Sequence, residues 1–287
     1  MQSTKSRRLT LSSYGTLAAL AAFVVVAAAA PVGAQATKQA AIEAKHAPKE
    51  VSVDLANGIK LELLLIPAGE FMMGSPESET SRLVMDKPQH RVRITKPFFL
   101  GKFPVTQQQW ESVMGHNPSL LKSPKHPVVN VSWYDCEGFF KKLNVKVGGA
   151  TFQLPTEAQW EYACRAGTKT RFPFGNDESK LGDYAWYGHN ADGVTHPVGG
   201  KKPNAWGLYD MHGNASQWCA DWYDESYYAK SITNDPPGAA TGFHRCIRGG
   251  DISRVASLCR SSTRNAGQPA LREEFLGVRV ARVAEDR

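Results

Sequence analysis

The stretch Leu154-Pro-Thr-Glu-Ala-Gln-Trp-Glu-Tyr-Ala-Cys-Arg-Ala-Gly167 carries both the start and the stop signal of one helix. Thr156 is a helix N-cap, because its hydroxyl can accept from first-turn amides, and Glu157 and Gln159 follow it. The helix is expected to run through Trp160-Glu-Tyr-Ala-Cys164 and to stop at Gly167. Its aromatic residues read as core.

Two more helices precede it. One opens at Thr106, carries Trp110 and ends at Gly115. The other is capped by Ser132 and runs from Trp133 to Leu143, with Trp133, Cys136, Phe139, Phe140 and Leu143 spaced to form one buried face. Further upstream, residues 51–55 and 61–66 read as strands around Ala56-Asn57-Gly58, and Asn-Gly between apolar runs is a hairpin signal. Residues 89–95 and 97–101 suggest more strand. Beyond Gly167 periodicity nearly vanishes for about eighty residues, yet Trp186, Trp206, Trp218 and Trp222 lie there and their indoles need burial. A packed domain built largely of ordered loop is the consequence.

The N-terminus has Lys5, Arg7 and Arg8, an apolar run from about Leu17 to Ala30, and Ala34-Gln35-Ala36. That order describes a signal peptide over residues 1–36, and the run is short for a membrane anchor of about 20 residues. Ser6-Arg7-Arg8 faintly resembles a twin-arginine export signal, so the export route stays open. Residues 37–50 are rich in Ala, Lys and Glu and read as a spacer, leaving 51–287 as one domain. Cleavage lowers the formal charge from +7 to +4, too mild to argue for nucleic acid, and leaves no membrane span. The mature chain is expected to be exported, periplasmic or secreted. Cys136, Cys164, Cys219, Cys246 and Cys259 would then meet an oxidising compartment, and five is an odd number.

Eight short motifs fall in one order: Phe71-Met-Met-Gly-Ser75, Pro104-Val-Thr106, Pro127-Val-Val-Asn-Val-Ser-Trp133, Leu154 to Tyr162, Asn204-Ala-Trp-Gly-Leu-Tyr-Asp-Met211, Gly213-Asn214, Arg248-Gly-Gly250 and Leu276-Gly-Val-Arg279. From about Leu63 to Arg282 the chain resembles the formylglycine-generating enzyme family, the sulfatase-modifying factor domain. The resemblance implies a single-domain α+β fold, similar to C-type lectins, with little regular secondary structure. The best-known members oxidise a sulfatase cysteine to formylglycine with oxygen and copper held by two cysteines. Many relatives have no known reaction, so fold alone does not fix activity.

In the oxidising members a serine follows the double glycine, and the copper cysteines lie five and ten positions after the first glycine. Those places hold Asp251, Arg254 and Cys259 here. One thiolate holds cuprous ion weakly, and a guanidinium cannot coordinate it, so copper is not expected. Cys259 is the single candidate catalytic thiol. Ser216 stands where family enzymes place a groove indole, and Gln217 where they place a calcium-binding glutamate. The resemblance puts a calcium site at Asp210, Gly213, Ala215 and Gln217; the alternative is a turn held by Asn214 and Asp210 side chains. It also implies a Cys164–Cys259 disulfide, with Cys219–Cys259 as the rival. Trp218, Asp251, Arg254, Arg260 and Arg264 are expected to line a groove, the arginines suiting an anionic group; for Arg264 and Arg279 a structural role is the alternative. His116, His126, His189 and His196 lack zinc-type spacing. Two functions result: a binding module for a peptide, glycan or protein, or an enzyme of the family with a sulfatase as partner.

Overall fold

The structure is a computed structural model and describes residues 50–79, 83–149 and 151–283. The expected leader over residues 1–36, and the spacer up to residue 49, lie outside the described residues. Among the described residues no helix is long and apolar enough to cross a membrane.

Among the described residues eleven strands form three sheets. β1 (Glu50–Asp54) and β2 (Lys60–Ile66) make an antiparallel hairpin. Its turn places Ala56, Asn57 and Gly58 at φ of 81°, 54° and 75°, which accounts for the Asn-Gly signal. β3 (Gly69–Met73) pairs with β4 (His90–Ile94), and β5 (Phe98–Gly101) returns to β2. After β6 (Phe152–Gln153) come β7 (Ser216–Trp222), β8 (Arg245–Arg248), β9 (Arg264–Gly267), β10 (Leu276–Gly277) and β11 (Ala281–Val283). The five-stranded sheet has the order β1-β2-β5-β11-β6, and the four-stranded one β10-β7-β8-β9. The first strands of this second sheet, β7 and β8, fall in or at the end of the stretch that the sequence reads as largely ordered loop.

The three expected helices are present: α1 (Gln107–Met114), α2 (Trp133–Val147) and α3 (Glu157–Arg165), followed by the short α4 (Tyr227–Lys230). Thr106, Ser132 and Thr156 each accept from the third amide of their helix, as N-caps do. In α1 and α3 a glutamine closes the box by accepting from the cap amide, Gln109 at 2.8 Å and Gln159 at 3.0 Å. α2 extends past Leu143 to Val147 because Gly148 is its first positive-φ residue.

The helices carry apolar faces into two adjoining clusters. Trp110 of α1 stacks on Phe139 of α2 at 4.8 Å, and Trp218 and Ile247 close the same cluster from the second sheet. Trp160 and Tyr162 of α3 pack with Met211, Cys219 and Cys246 in the other. Complete burial of such a side chain contributes on the order of 2–3 kcal/mol. Thus α3 is gripped by the second sheet, and that sheet carries the candidate site.

Candidate functional site

β8 ends at Arg248 and the chain turns through Gly249 and Gly250, at φ of 99° and 67°. A Cβ on Gly250 would lie 2.7 Å from Cys259 Sγ and 2.9 Å from the Leu258 carbonyl, so only glycine passes there. Ser216, Arg254, Leu258, Thr263 and Asn265 join the doublet around a groove of about 190 Å³.

Asp251 sits beside the groove in a hydroxyl cage. It accepts from Ser216 Oγ at 2.7 Å, Ser253 Oγ at 2.6 Å and the Ser253 amide at 2.9 Å. Arg254 Nε approaches it at 3.6 Å, and the Arg254 side chain remains 39% exposed. It is the cation of this cluster that reaches solvent.

The other arginines are struts. Arg264 forks onto Glu157 at 2.7 and 2.8 Å, donates to the Met85 carbonyl, and lies 4.0 Å from the Tyr228 ring and 4.8 Å from that of Tyr223. Arg248 donates to Glu161 and to the carbonyls of Ser261, Ser262 and Thr263. Arg260 is fully buried and binds Asp86 at 2.8 Å, along with Glu79 and Ser75. Each joins an upstream carboxylate to the loop after the glycine doublet. Arg260 therefore does not line the groove, and Arg264 borders it with its charge already matched. Trp218 is also absent from it: its indole lies in the core and donates to the Val131 carbonyl at 3.0 Å.

Cys259 lies under Gly250. Burial pushes its thiol up to about 12, with the Asp251 charge adding to the effect. Its carbonyl accepts from His212 Nδ1 at 2.6 Å, which leaves Nε2 as the acceptor facing Cys164 Sγ at 3.4 Å. Burial lowers the His212 imidazole to about 4, so the ring is neutral. No zinc-type spacing or cap signal in the sequence singles out His212, and its partners are 47 and 48 residues away.

All five cysteines are free, buried thiols. The expected Cys164–Cys259 disulfide is not formed. Cys164 faces His212 and Ser261, while Cys259 faces Gly250 and packs in a separate cluster with Phe172 and Leu181. The rival Cys219–Cys259 pairing is not formed either, since Cys219 lies with Cys246 in the α3 cluster.

The set beneath the doublet holds one protonated thiol and a guanidinium at the other ligand place, and does not fit cuprous ion. Two of the four candidate calcium residues, Asp210 and Gln217, are also committed. Gln217 Oε1 accepts from Trp160 Nε1 at 2.8 Å and Arg279 Nε at 2.9 Å, and its Nε2 donates to the Asp210 carbonyl. Arg279 Nη2 takes the carbonyls of Tyr209 and Asp210, and the Asp210 carboxylate accepts from Gly199 and Asn214. A guanidinium reaching into the donor set fits a hydrogen-bonded turn, not a dication that needs six to eight oxygens. Among the described residues no group of three or more His, Cys, Asp or Glu could hold a metal.

A loop-rich α+β fold with a groove at a glycine doublet defines the class of sulfatase-modifying-factor-like proteins. The family model for the sulfatase-modifying factor enzyme 1-like domain matches residues 53–284, and the chain belongs to that family. It is 35% identical over 191 residues to the formylglycine-generating enzyme of Streptomyces coelicolor, covering 61% of this chain and 59% of that protein. It is 30% identical over 253 residues to the serine/threonine-protein kinase pkn1 of Chlamydia pneumoniae, covering 78% of this chain and 38% of that one. The chain thus spans less than two thirds of these curated relatives. Among solved structures, Treponema denticola variable protein 1 superposes with a TM-score of 0.74 at 30% identity, over 82% of this chain and 99% of that chain. PvdO from Pseudomonas aeruginosa gives 0.73 at 30%, over 82% and 98%.

Proposed function

We propose that this chain is an exported binding module of the family, which takes an extended peptide across the Gly249-Gly250 groove and does not oxidise it. One observation carries the reading: the two thiol places of the oxidising members hold a solvent-reaching Arg254 and a Cys259 buried beneath Gly250 at about 12. A thiol that stays protonated is neither a ligand nor a nucleophile at neutral pH. Arg254 instead offers a solvent-reaching cation at the groove, held only loosely by Asp251 at 3.6 Å and suited to an acidic side chain or a carboxylate terminus. Neither copper nor calcium is part of this reading. Glycans and folded proteins, including a sulfatase, are the other ligands to test.

A second reading, an active oxidase, is favoured by the 35% identity to a protein named formylglycine-generating enzyme. One experiment separates the two. The mature protein is incubated with copper, oxygen and a Cys-x-Pro-x-Arg peptide, and the thiol-to-aldehyde mass loss is followed. No conversion, with saturable binding of acidic peptides weakened by Arg254→Ala, supports the binding module. Conversion that disappears in Cys259→Ser refutes it.

A further inference from the structure

A second cavity lies elsewhere. It holds about 520 Å³, within the range of small-molecule pockets, and shares no lining residue with the glycine-doublet groove. The paired strands β3 and β4 form one wall, and the C-terminal end of α3 with Gly167, Thr168 and Lys169 forms the other.

Its floor is aromatic. The rings of Phe71 and Tyr162 lie 5.3 Å apart, with Trp206 edge-on behind Tyr162 at 4.9 Å. Met72 adds apolar surface that is 38% exposed. A flat apolar body fits such a floor.

The electrostatics select a sign. Three cations, Arg91, Arg165 and Lys169, line the cavity against one carboxylate, Glu70. Glu70 is shared between Arg91 and Arg93, so this cluster keeps a net positive charge. Arg165 is spent on Glu161 and on the carbonyls of Gly74 and Thr170. The end of a helix repels anions through its bare carbonyls, but here none is bare. The Tyr162 carbonyl accepts from Ala166, those of Ala163 and Cys164 from Asn204 Nδ2, and that of Arg165 from Thr168. Lys169 is exposed, and no hydrogen bond or ion pair to it is found among the described residues.

We infer that this cavity is a second ligand site, taking a small molecule with a flat apolar body and one anionic group, the body on Phe71 and Tyr162 and the anion at Lys169. It is independent of the groove, and therefore of the binding-module reading.

The test is calorimetric titration of the full mature protein with 2-naphthoate and with its cationic counterpart, 2-(aminomethyl)naphthalene. The expected result is one saturable site that prefers the carboxylate by about threefold or more, the worth of a part-screened ion pair. Lys169→Glu, at an exposed position, should weaken 2-naphthoate by about tenfold and remove the preference. Thr168→Trp should fill the cavity and remove binding of both, with near-UV circular dichroism confirming the fold, while Arg254→Ala should change nothing. No saturable binding, equal binding of the amine, indifference to Lys169→Glu, or loss in Arg254→Ala would each overturn the inference.

Discussion

Glu157→Gln removes the carboxylate onto which Arg264 forks, and its cost follows from the geometry. Both partners are buried, at 3% and 1% side-chain exposure, and Arg248 stands 3.7 Å from the same carboxylate. Glutamine keeps the shape but turns one oxygen into a donor facing donors, and it leaves a guanidinium without its counter-charge. Breaking a buried pair from one side costs about 3–5 kcal/mol. At about 2–4 °C per kcal/mol for a domain of this size, Tm should fall by roughly 6–20 °C in calorimetry. The variant Glu157→Leu/Arg264→Met, which removes both charges, should lose less than Glu157→Gln. The pH dependence gives an independent arm. Burial would raise the Glu157 carboxyl, but the Arg264 and Arg248 guanidiniums outweigh it and hold it below the usual range. A lowered folded value means stability present above the unfolded pKa and lost as pH falls through the folded one, so the wild type should weaken progressively below about pH 5. Glu157→Gln should show a flatter profile there. A loss under about 1 kcal/mol, with an unchanged acid limb, would refute the strut assignment.

Other outcomes follow from the same geometry. Because Arg279 reaches into the calcium place, adding calcium or a chelator should leave Tm unchanged; a shift of several degrees would show that the turn binds the ion. Gly250→Ala combines a φ of 67° with contacts at 2.7 and 2.9 Å, and should cost about 1–3 kcal/mol. Gly148→Ala, at φ 69° with nothing within 4 Å of the new methyl, should cost less, and equal losses in urea unfolding would reject the clash. Cys259 at about 12 is roughly one part in ten thousand thiolate at pH 8, so iodoacetamide should label it only after unfolding. Rapid native labelling, read by peptide mass mapping, would contradict its burial.

The helices were legible because their information is local: Thr106, Ser132 and Thr156 sit beside the amides they cap. The β7–β10 sheet was not. β7 contains Ser216, Gln217 and Asp221 among its seven residues, and its polar side chains are buried by partners such as Trp160, Arg279 and Asp251 that no spacing rule connects. For the same reason Arg260 and Arg264 read as ligands for an anion. Their own anions lie 174 and 107 residues upstream, at Asp86 and Glu157. The glycine doublet and the loss of a second thiol were visible in the chain itself. That Cys164 faces Ser261 and His212, and not Cys259, was not, since a two-residue offset decides it.

The arginine struts separate what holds the groove in place from what a visitor would touch. Arg248, Arg260 and Arg264 pin its floor from below through partners remote in the chain, while Arg254, Leu258 and Asn265 at its mouth bear little of that load. Such a division lets selection rewrite the mouth residue by residue without endangering the frame. One scaffold can thereby vary its rim faster than it changes its shape.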